Sequence, residues 1–250
     1  MPEPIEPLRP PEMFFEQIRA LDIIFDEGDV DRLGRYLALL LEANRHFNLT
    51  AVKDPGEAWM KHICDSLTLV PFIISAEAHT VIDIGSGGGL PGAPLAIALP
   101  QMQFTLLEAT GKKARFLQET VAALKMTNVV VLNDRAETIG RDREHHREHY
   151  DIVTARAVGR LPALVEIAAP LLRIGGHLLA IKGAKAAEEI ADAKEALYRL
   201  HSHVLTTHRT ETGTIIIIEK QRRSPKLYPR RPGEPGRAPL GGGKERPTPA

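Results

Sequence analysis

Residues 81–92 read VIDIGSGGGLPG: an apolar run ends through Asp83, glycines crowd the next turn, and Pro91 stands where a helix would begin. Glycine is needed where the backbone takes positive φ or approaches a ligand closely, and proline suits the first turn of a helix. A strand that hands over to a helix in this way offers free N–H groups and a partial positive charge at its tip. Such a unit belongs to α/β folds, with a ligand held at the carboxyl edge of a parallel sheet.

The remaining chain has the rhythm that such a sheet requires. Short apolar runs at Thr80–Ile84, Phe104–Leu107, Val129–Leu132, Ile152–Ala155 and His177–Ile181 alternate with helical stretches near Pro91–Ala98, Lys112–Leu124 and Leu161–Leu172. Repeated strand–helix units predict parallel strands with helices on both faces. After a further helix over Ala184–Leu200, the runs Val204–His208 and Thr214–Glu219 lie close enough to form an antiparallel pair, with Ile215–Ile218 as a buried strand. Five parallel strands followed by a terminal hairpin predict an α/β fold built on a Rossmann-like methyltransferase sheet. An N-terminal helical extension precedes it: Val30, Leu33, Leu37, Leu40, Leu41 and Phe47 recur at helical spacing. Asp54, Pro55 and Glu57 read as the N-cap, first position and capping-box carboxylate of a helix running through Trp59, Ile63 and Leu67 toward Pro71. The expected division is 1–75 helical, 76–220 ligand-binding, and 221–250 a basic tail.

Composition narrows the class. The chain has 250 residues, 43% hydrophobic and 26% charged, enough for a sizeable ordered core. Its single cysteine, Cys64, excludes internal disulfides, a Cys-rich zinc site and the paired-cysteine chemistry of some RNA enzymes. A packed thiol in a reduced, cytoplasmic protein is the expectation. The longest charge-free run, the 24 residues Ile84–Leu107, is broken by Pro91, Pro94 and Pro100, so no membrane span is expected. The opening residues hold no basic run followed by an apolar stretch, and no secretory signal is expected. Lys and Arg total 32 against 32 Asp and Glu, yet residues 221–250 carry eight basic side chains against Glu234 and Glu245. That tail is therefore +6 on a body of −6, which points to a polyanionic partner. With seven prolines and five glycines it is not expected to form a packed element.

The glycine turn admits two classes of nucleotide-like ligand. Gly87, Gly89 and Gly92 satisfy the dinucleotide pattern G-x-G-x-x-G, which any glycine-dense turn generates easily. Asp83, two residues before Gly85, favours S-adenosylmethionine instead, since a carboxylate there can face the methionine amino group. Glu108 closes the second strand, where it can accept both ribose hydroxyls. Asp134 and Glu137 follow the third strand and could reach an adenine or merely form a surface turn. Arg156 ends the fourth strand and Lys182 the fifth, positions that line the cleft; Lys182 could hold a phosphate or a guanine edge. His145, Glu148 and His149 spell H-x-x-E-H, a zinc-peptidase pattern, but their stretch lacks an apolar face and reads as a solvated loop. No metal ion is expected.

Several blocks together resemble one family: NLTAV (48–52), KHICDSLTL (61–69), DIGSGGGLPGAPLAI (83–97), LLEATGKKARFL (106–117), TARAVGRL (154–161), AIKG (180–183) and SPKLYPRRPGEPGRAPL (224–240). The ordered set is similar to the RsmG (GidB) family of bacterial small-subunit ribosomal RNA guanine-N7 methyltransferases. The resemblance implies a cytoplasmic enzyme using S-adenosylmethionine on 16S ribosomal RNA, free or within the ribosomal subunit; a monomer is expected. It assigns donor binding to Gly85 and Leu90 in the turn, to Glu108, Ala109 and Thr110, to Ala136 and Glu137, and to Arg156. Two positions depart from the family pattern: Glu108 stands where many members have Asp, and Ala155 where many have Ser. The longer carboxylate bears on donor affinity rather than reaction type. A non-catalytic RNA-binding or assembly protein retaining a donor pocket is the alternative, and the intact Asp83, glycines and Glu108 count against it.

Overall fold

A computed structural model describes residues 5–241; the last nine residues of the basic tail, Lys244, Glu245 and Arg246 among them, lie outside the described residues. The N-terminal helices are α1 (Glu12–Ala20) and α2 (Asp29–Asn44), followed by a helical run that starts at α3 (Pro55–Ala58). Asp54 caps that run as expected, accepting from the Glu57 N–H at 2.8 Å. The run then widens into a π-helical turn, Trp59–Cys64, tightens again in α4 (Asp65–Leu67), and is followed by α5 (Val70–Ser75).

The sheet is formed by β1 (Thr80–Ile84), β2 (Gln103–Leu107), β3 (Val129–Leu132), β4 (Tyr150–Arg156), β5 (Leu172–Lys182), β6 (Ser202–Arg209) and β7 (Thr214–Lys220), in the order β3-β2-β1-β4-β5-β7-β6. The first five strands are parallel, and β7 pairs antiparallel with both β5 and β6. Between them run α6 (Gly92–Ala98), α7 (Gly111–Ala123), α8 (Ala136–Ile139), α9 (Leu161–Ala168), α10 (Ala186–Asp192) and α11 (Lys194–Arg199). The topological switch lies between β1 and β4, the crevice in which open α/β sheets hold ligands.

Strand residues alternate between two apolar layers because successive side chains point to opposite faces. Val81, Ile215 and Ile217 join one layer; Ile82, Ile84, Ile216 and Ile218 join the other. The isoleucine run therefore serves both faces at once. Helices α1 to α7 contribute to the first layer, where Phe14, Tyr36, Trp59 and Leu67 pack with Leu106 and Phe104, so the N-terminal helices share their core with one face of the sheet. Cys64 lies in that layer as a buried free thiol. No helix among the described residues is long and apolar enough to cross a membrane.

The basic tail departs from expectation. Residues 221–241 run as a strap over the second layer and include a short helix, α12 (Glu234–Arg237). Tyr228 and Leu240 are buried in that layer. Arg147 reaches from the loop before β4 to the carbonyls of Ser224 and Tyr228, and the Arg141 Nε donates to that of Pro229. Arg230 forks onto the fully buried Glu166 carboxylate of α9, with Nη2 at 2.6 Å. Proline and glycine removed regular ladders from this segment but not side-chain anchors: its turns satisfy their backbone through arginines of the domain. The H-x-x-E-H stretch is likewise not simply solvated. Glu148 accepts from the buried Lys220 Nζ at 2.9 Å and from the Ser224 N–H at 3.1 Å, while His145 contacts Asp142 and His149 contacts the Arg147 carbonyl. The three side chains do not converge.

Candidate donor and acceptor site

The carboxyl edge of the sheet gathers most of the residues singled out in the sequence. Gly85, Gly87 and Gly89 have φ of 65°, 59° and 99°, conformations that side-chain-bearing residues rarely adopt. At Gly87 a Cβ would meet only the Gly85 carbonyl oxygen, at 3.8 Å, so the space in front of the turn is open. Gly92 answers a different need. A Cβ there would lie 2.4 Å from Leu106 Cδ2 and 2.8 Å from Asp83 Cβ, so α6 can approach β1 and β2 only through glycine.

Glu108 leaves β2 and turns back over the glycine turn. Its Oε2 accepts from the Gly87 N–H at 2.9 Å and its Oε1 from the Thr110 N–H at 2.7 Å. A carboxylate has about four lone-pair sites, so each oxygen retains capacity for a ligand hydroxyl. Asn133, at the tip of β3, holds the Glu108 carbonyl at 2.8 Å. Ala109 and Thr110 are exposed beside Glu108, and Leu90 is buried behind the turn.

Asp83 has a different job from the one expected. It is fully buried, and its oxygens accept from Ser86 Oγ at 2.5 Å, Thr154 Oγ1 at 2.9 Å and the Gly92 N–H at 3.2 Å. It fastens the glycine turn to β4 and α6 from inside rather than facing a ligand. Burial pushes its pKa up to about 6 against the opposing effect of those hydrogen bonds. Tyr36 of α2 completes the support, its hydroxyl donating to the Gly88 carbonyl at 2.8 Å.

Ala136 and Glu137 open α8 and are both buried. The Glu137 carboxylate is occupied by the strap, accepting from the Gly233 N–H at 2.7 Å. Asp134 folds onto the Arg135 N–H, forming the surface turn that composition alone allowed. Lys182 also turns inward. It is 6% exposed, donates to the Gly159 carbonyl at 2.6 Å and pairs with Glu189 at 2.9 Å. Its ammonium ties the loop after β4 to α10, so a direct contact with phosphate or guanine is not its arrangement here.

Arg156 keeps the cleft-lining position. Its Nη1 donates to the Lys61 carbonyl at 3.0 Å and to Asp65 Oδ2 at 3.1 Å, and its Nη2 lies 3.3 Å from His62 Nδ1. Sequence reasoning did not single out His62, Asp65, Thr154 or Ser86 as site residues. The signal available for the first two was the KHICD block, whose spacing made sense only as a helix face. No group of three or more His, Cys, Asp or Glu side chains among the described residues is placed to hold a metal ion.

Comparison with known proteins decides the family. The model for GidB, rRNA small subunit methyltransferase G, matches residues 29–217. The chain belongs to the GidB family. Among its relatives, the ribosomal RNA small subunit methyltransferase G of Sorangium cellulosum is 46% identical over 227 residues, covering 90% of this chain and 94% of that protein. The protein of the same name from Chloroflexus aggregans is 44% identical over 233 residues, covering 91% and 97%. The O-methyltransferase TomG from Streptomyces achromogenes, solved in complex with SAM, shares the fold at 17% identity and a TM-score of 0.56, covering 84% of this chain and 96% of that one. This GidB-family chain is thus an S-adenosylmethionine-dependent methyltransferase, and its residues fit that donor: a buried carboxylate with spare acceptors at the tip of β2 faces an open turn at Gly87.

Proposed function

We propose that this protein methylates N7 of a guanine in small-subunit ribosomal RNA, in the cytoplasm and as a monomer. The observation that carries the reading is the joined pair of Gly87 and Glu108, set in the same carboxyl-edge crevice as Arg156 in a chain of the GidB family. S-adenosylmethionine, when bound, supplies an electrophilic methyl group on a sulfonium. Glu108 takes the ribose hydroxyls, the Gly85–Leu90 turn and the start of α8 at Ala136 and Glu137 frame the nucleoside, and Arg156 lines the face toward the acceptor.

Guanine N7 carries an in-plane lone pair and needs no deprotonation before attack. The protein's contribution is then positioning and fixed dipoles matched to the charge shift, with no general base. The titratable groups nearest the crevice agree with this. Burial together with the Arg156 guanidinium holds His62 at about 4, so it stays uncharged near neutrality. Asp83, raised to about 6 by burial, is enclosed by Ser86, Thr154 and the Gly92 N–H rather than serving as a base. Single-turnover rates at saturating substrate are expected to stay nearly flat between about pH 6.5 and 8.5. A tenfold rise per pH unit across that window, or a methyl found on N1 or N2, would contradict the mechanism.

The strap supports an RNA-facing surface through the side chains it does not use for anchoring. Arg222, Lys226 and Arg231 are exposed, whereas Arg230 is tied to Glu166. Changing Arg222, Lys226 and Arg231 together to glutamine should flatten the salt-dependence slope on single-stranded RNA by about 2, at about 0.7 per phosphate contact. The melting temperature should move by no more than about 2 °C, because surface substitutions away from packed features cost little. An unchanged slope with weakened folding would reverse the assignment of these three side chains.

A further inference from the structure

The guanidinium of Arg156 is held by three acceptors that all lie within five consecutive residues: the Lys61 carbonyl, His62 Nδ1 and Asp65 Oδ2, at 3.0, 3.3 and 3.1 Å. We infer that His62 is a positioning residue that fixes Arg156 through Nδ1, and that the π-helical turn is the device that presents it. The inference rests on the reading that Arg156 meets the reactants.

An arginine cannot be deprotonated in a protein and only donates, so His62 Nδ1 must carry the bare lone pair. The ring proton is then on Nε2, which lies 2.7 Å from Thr50 Oγ1 and donates to it. Thr50 is itself clamped from α2: Asn44 Oδ1 accepts from its N–H at 2.9 Å and Asn44 Nδ2 donates to its carbonyl at 2.9 Å. On the other side, the second oxygen of Asp65 accepts from the Thr212 hydroxyl in the β6–β7 turn. A continuous chain therefore runs from α2 through His62 and Arg156 to the terminal hairpin.

Three of the five guanidinium N–H groups are used, and Nε–H and one N–H of Nη2 have no protein partner among the described residues. Those two are left for the reactants. A neutral acceptor suits this task. Asp65 already balances the guanidinium charge, and a second carboxylate would make the cluster net negative. His62 is 5% exposed and stays neutral under working conditions, because burial and Arg156 both oppose its protonation. A π-helical turn inserts an extra residue into the helical register, and such turns recur at functional sites. Here it spans Trp59–Cys64 and sets the Lys61 carbonyl, His62 and Asp65 toward one side chain.

Two substitutions separate the two ring nitrogens. The asparagine Oδ1 overlays Nδ1 and can accept from Arg156; the glutamine amide overlays Nε2 and reaches only Thr50. His62→Gln should slow single-turnover methylation of small-subunit RNA about tenfold, and His62→Asn should recover to within about threefold of the unmodified protein. In an Arg156→Lys background, which lacks the fork, His62→Gln should cost less than twofold more. Equal losses for the two variants, or an undiminished His62→Gln loss in that background, overturn the inference. Nitrogen NMR of histidine-labelled, unmodified protein gives a reading independent of activity: the Nε2–H tautomer is expected, and an Nδ1–H tautomer overturns the inference. If the unmodified protein does not methylate the RNA, the proposed function fails, while the tautomer still decides the His62–Arg156 contact.

Discussion

Arg230→Ala is expected to lower the melting temperature by roughly 10 °C. The Glu166 carboxylate is fully buried, and Arg230 gives it three side-chain hydrogen bonds, from Nε at 2.9 and 3.1 Å and from Nη2 at 2.6 Å. Removing one partner of a buried pair leaves an uncompensated charge and typically costs about 3–5 kcal/mol. In a domain of this size each kcal/mol moves the midpoint by about 2–4 °C. The backbone N–H of residue 230, which also donates to Glu166 at 2.9 Å, limits the loss to the lower part of that range. Replacing both partners, as Arg230→Met with Glu166→Leu, should recover most of it, because the cost lies in the orphaned carboxylate. Calorimetric unfolding of the single and double variants checks this. A shift under about 2 °C for Arg230→Ala would mean that the strap is not part of the folded unit.

Gly87→Val should abolish measurable binding of S-adenosylmethionine. Valine would be forced to φ near 59°, a strained conformation for a β-branched residue. Its side chain would also occupy the open space in front of the turn, where a Cβ meets nothing closer than 3.8 Å. Glu108→Ala should bind about 10- to 100-fold more weakly through lost charged hydrogen bonds worth roughly 1–3 kcal/mol. It also leaves the Gly87 and Thr110 N–H groups without their acceptor. Titration calorimetry with S-adenosylmethionine and with NAD tests both variants against the unmodified protein. Tighter binding of NAD than of the methyl donor would overturn the assignment of the turn.

The legible part of the site was the part built from neighbours in sequence or from backbone rules. Gly85, Gly87 and Gly89 announced themselves because few other residues take their φ values. Glu108 was visible because the tip of the second strand is a fixed place in an α/β unit. Asp83 was found, but its partners were not: Ser86 is local, yet Thr154 arrives from 71 residues away, and only with both in place does the carboxylate face inward. The partners of Lys182 are hidden for the same reason. A lysine ending a strand looks free until Glu189 and the Gly159 carbonyl close on it.

Sequence by itself determined the sheet, the glycine turn and the family. Hydrophobic period, helix caps and glycine conformations are short-range physics, written within a few residues of where they act. Tertiary structure alone decided which charges are spent. By composition the tail reads as a basic segment without a packed element, and it becomes a strap because Arg147, Glu166 and Glu137, from the loop before β4, α9 and α8, meet its backbone and Arg230. Arg156, His62 and Asp65 become one unit because a π-helical turn and the end of β4, more than 90 residues apart in the chain, are packed together. An ionisable side chain carries no mark in sequence of whether its partner will be water, substrate or a buried opposite charge. That choice is made by desolvation, which exists only once the chain has folded.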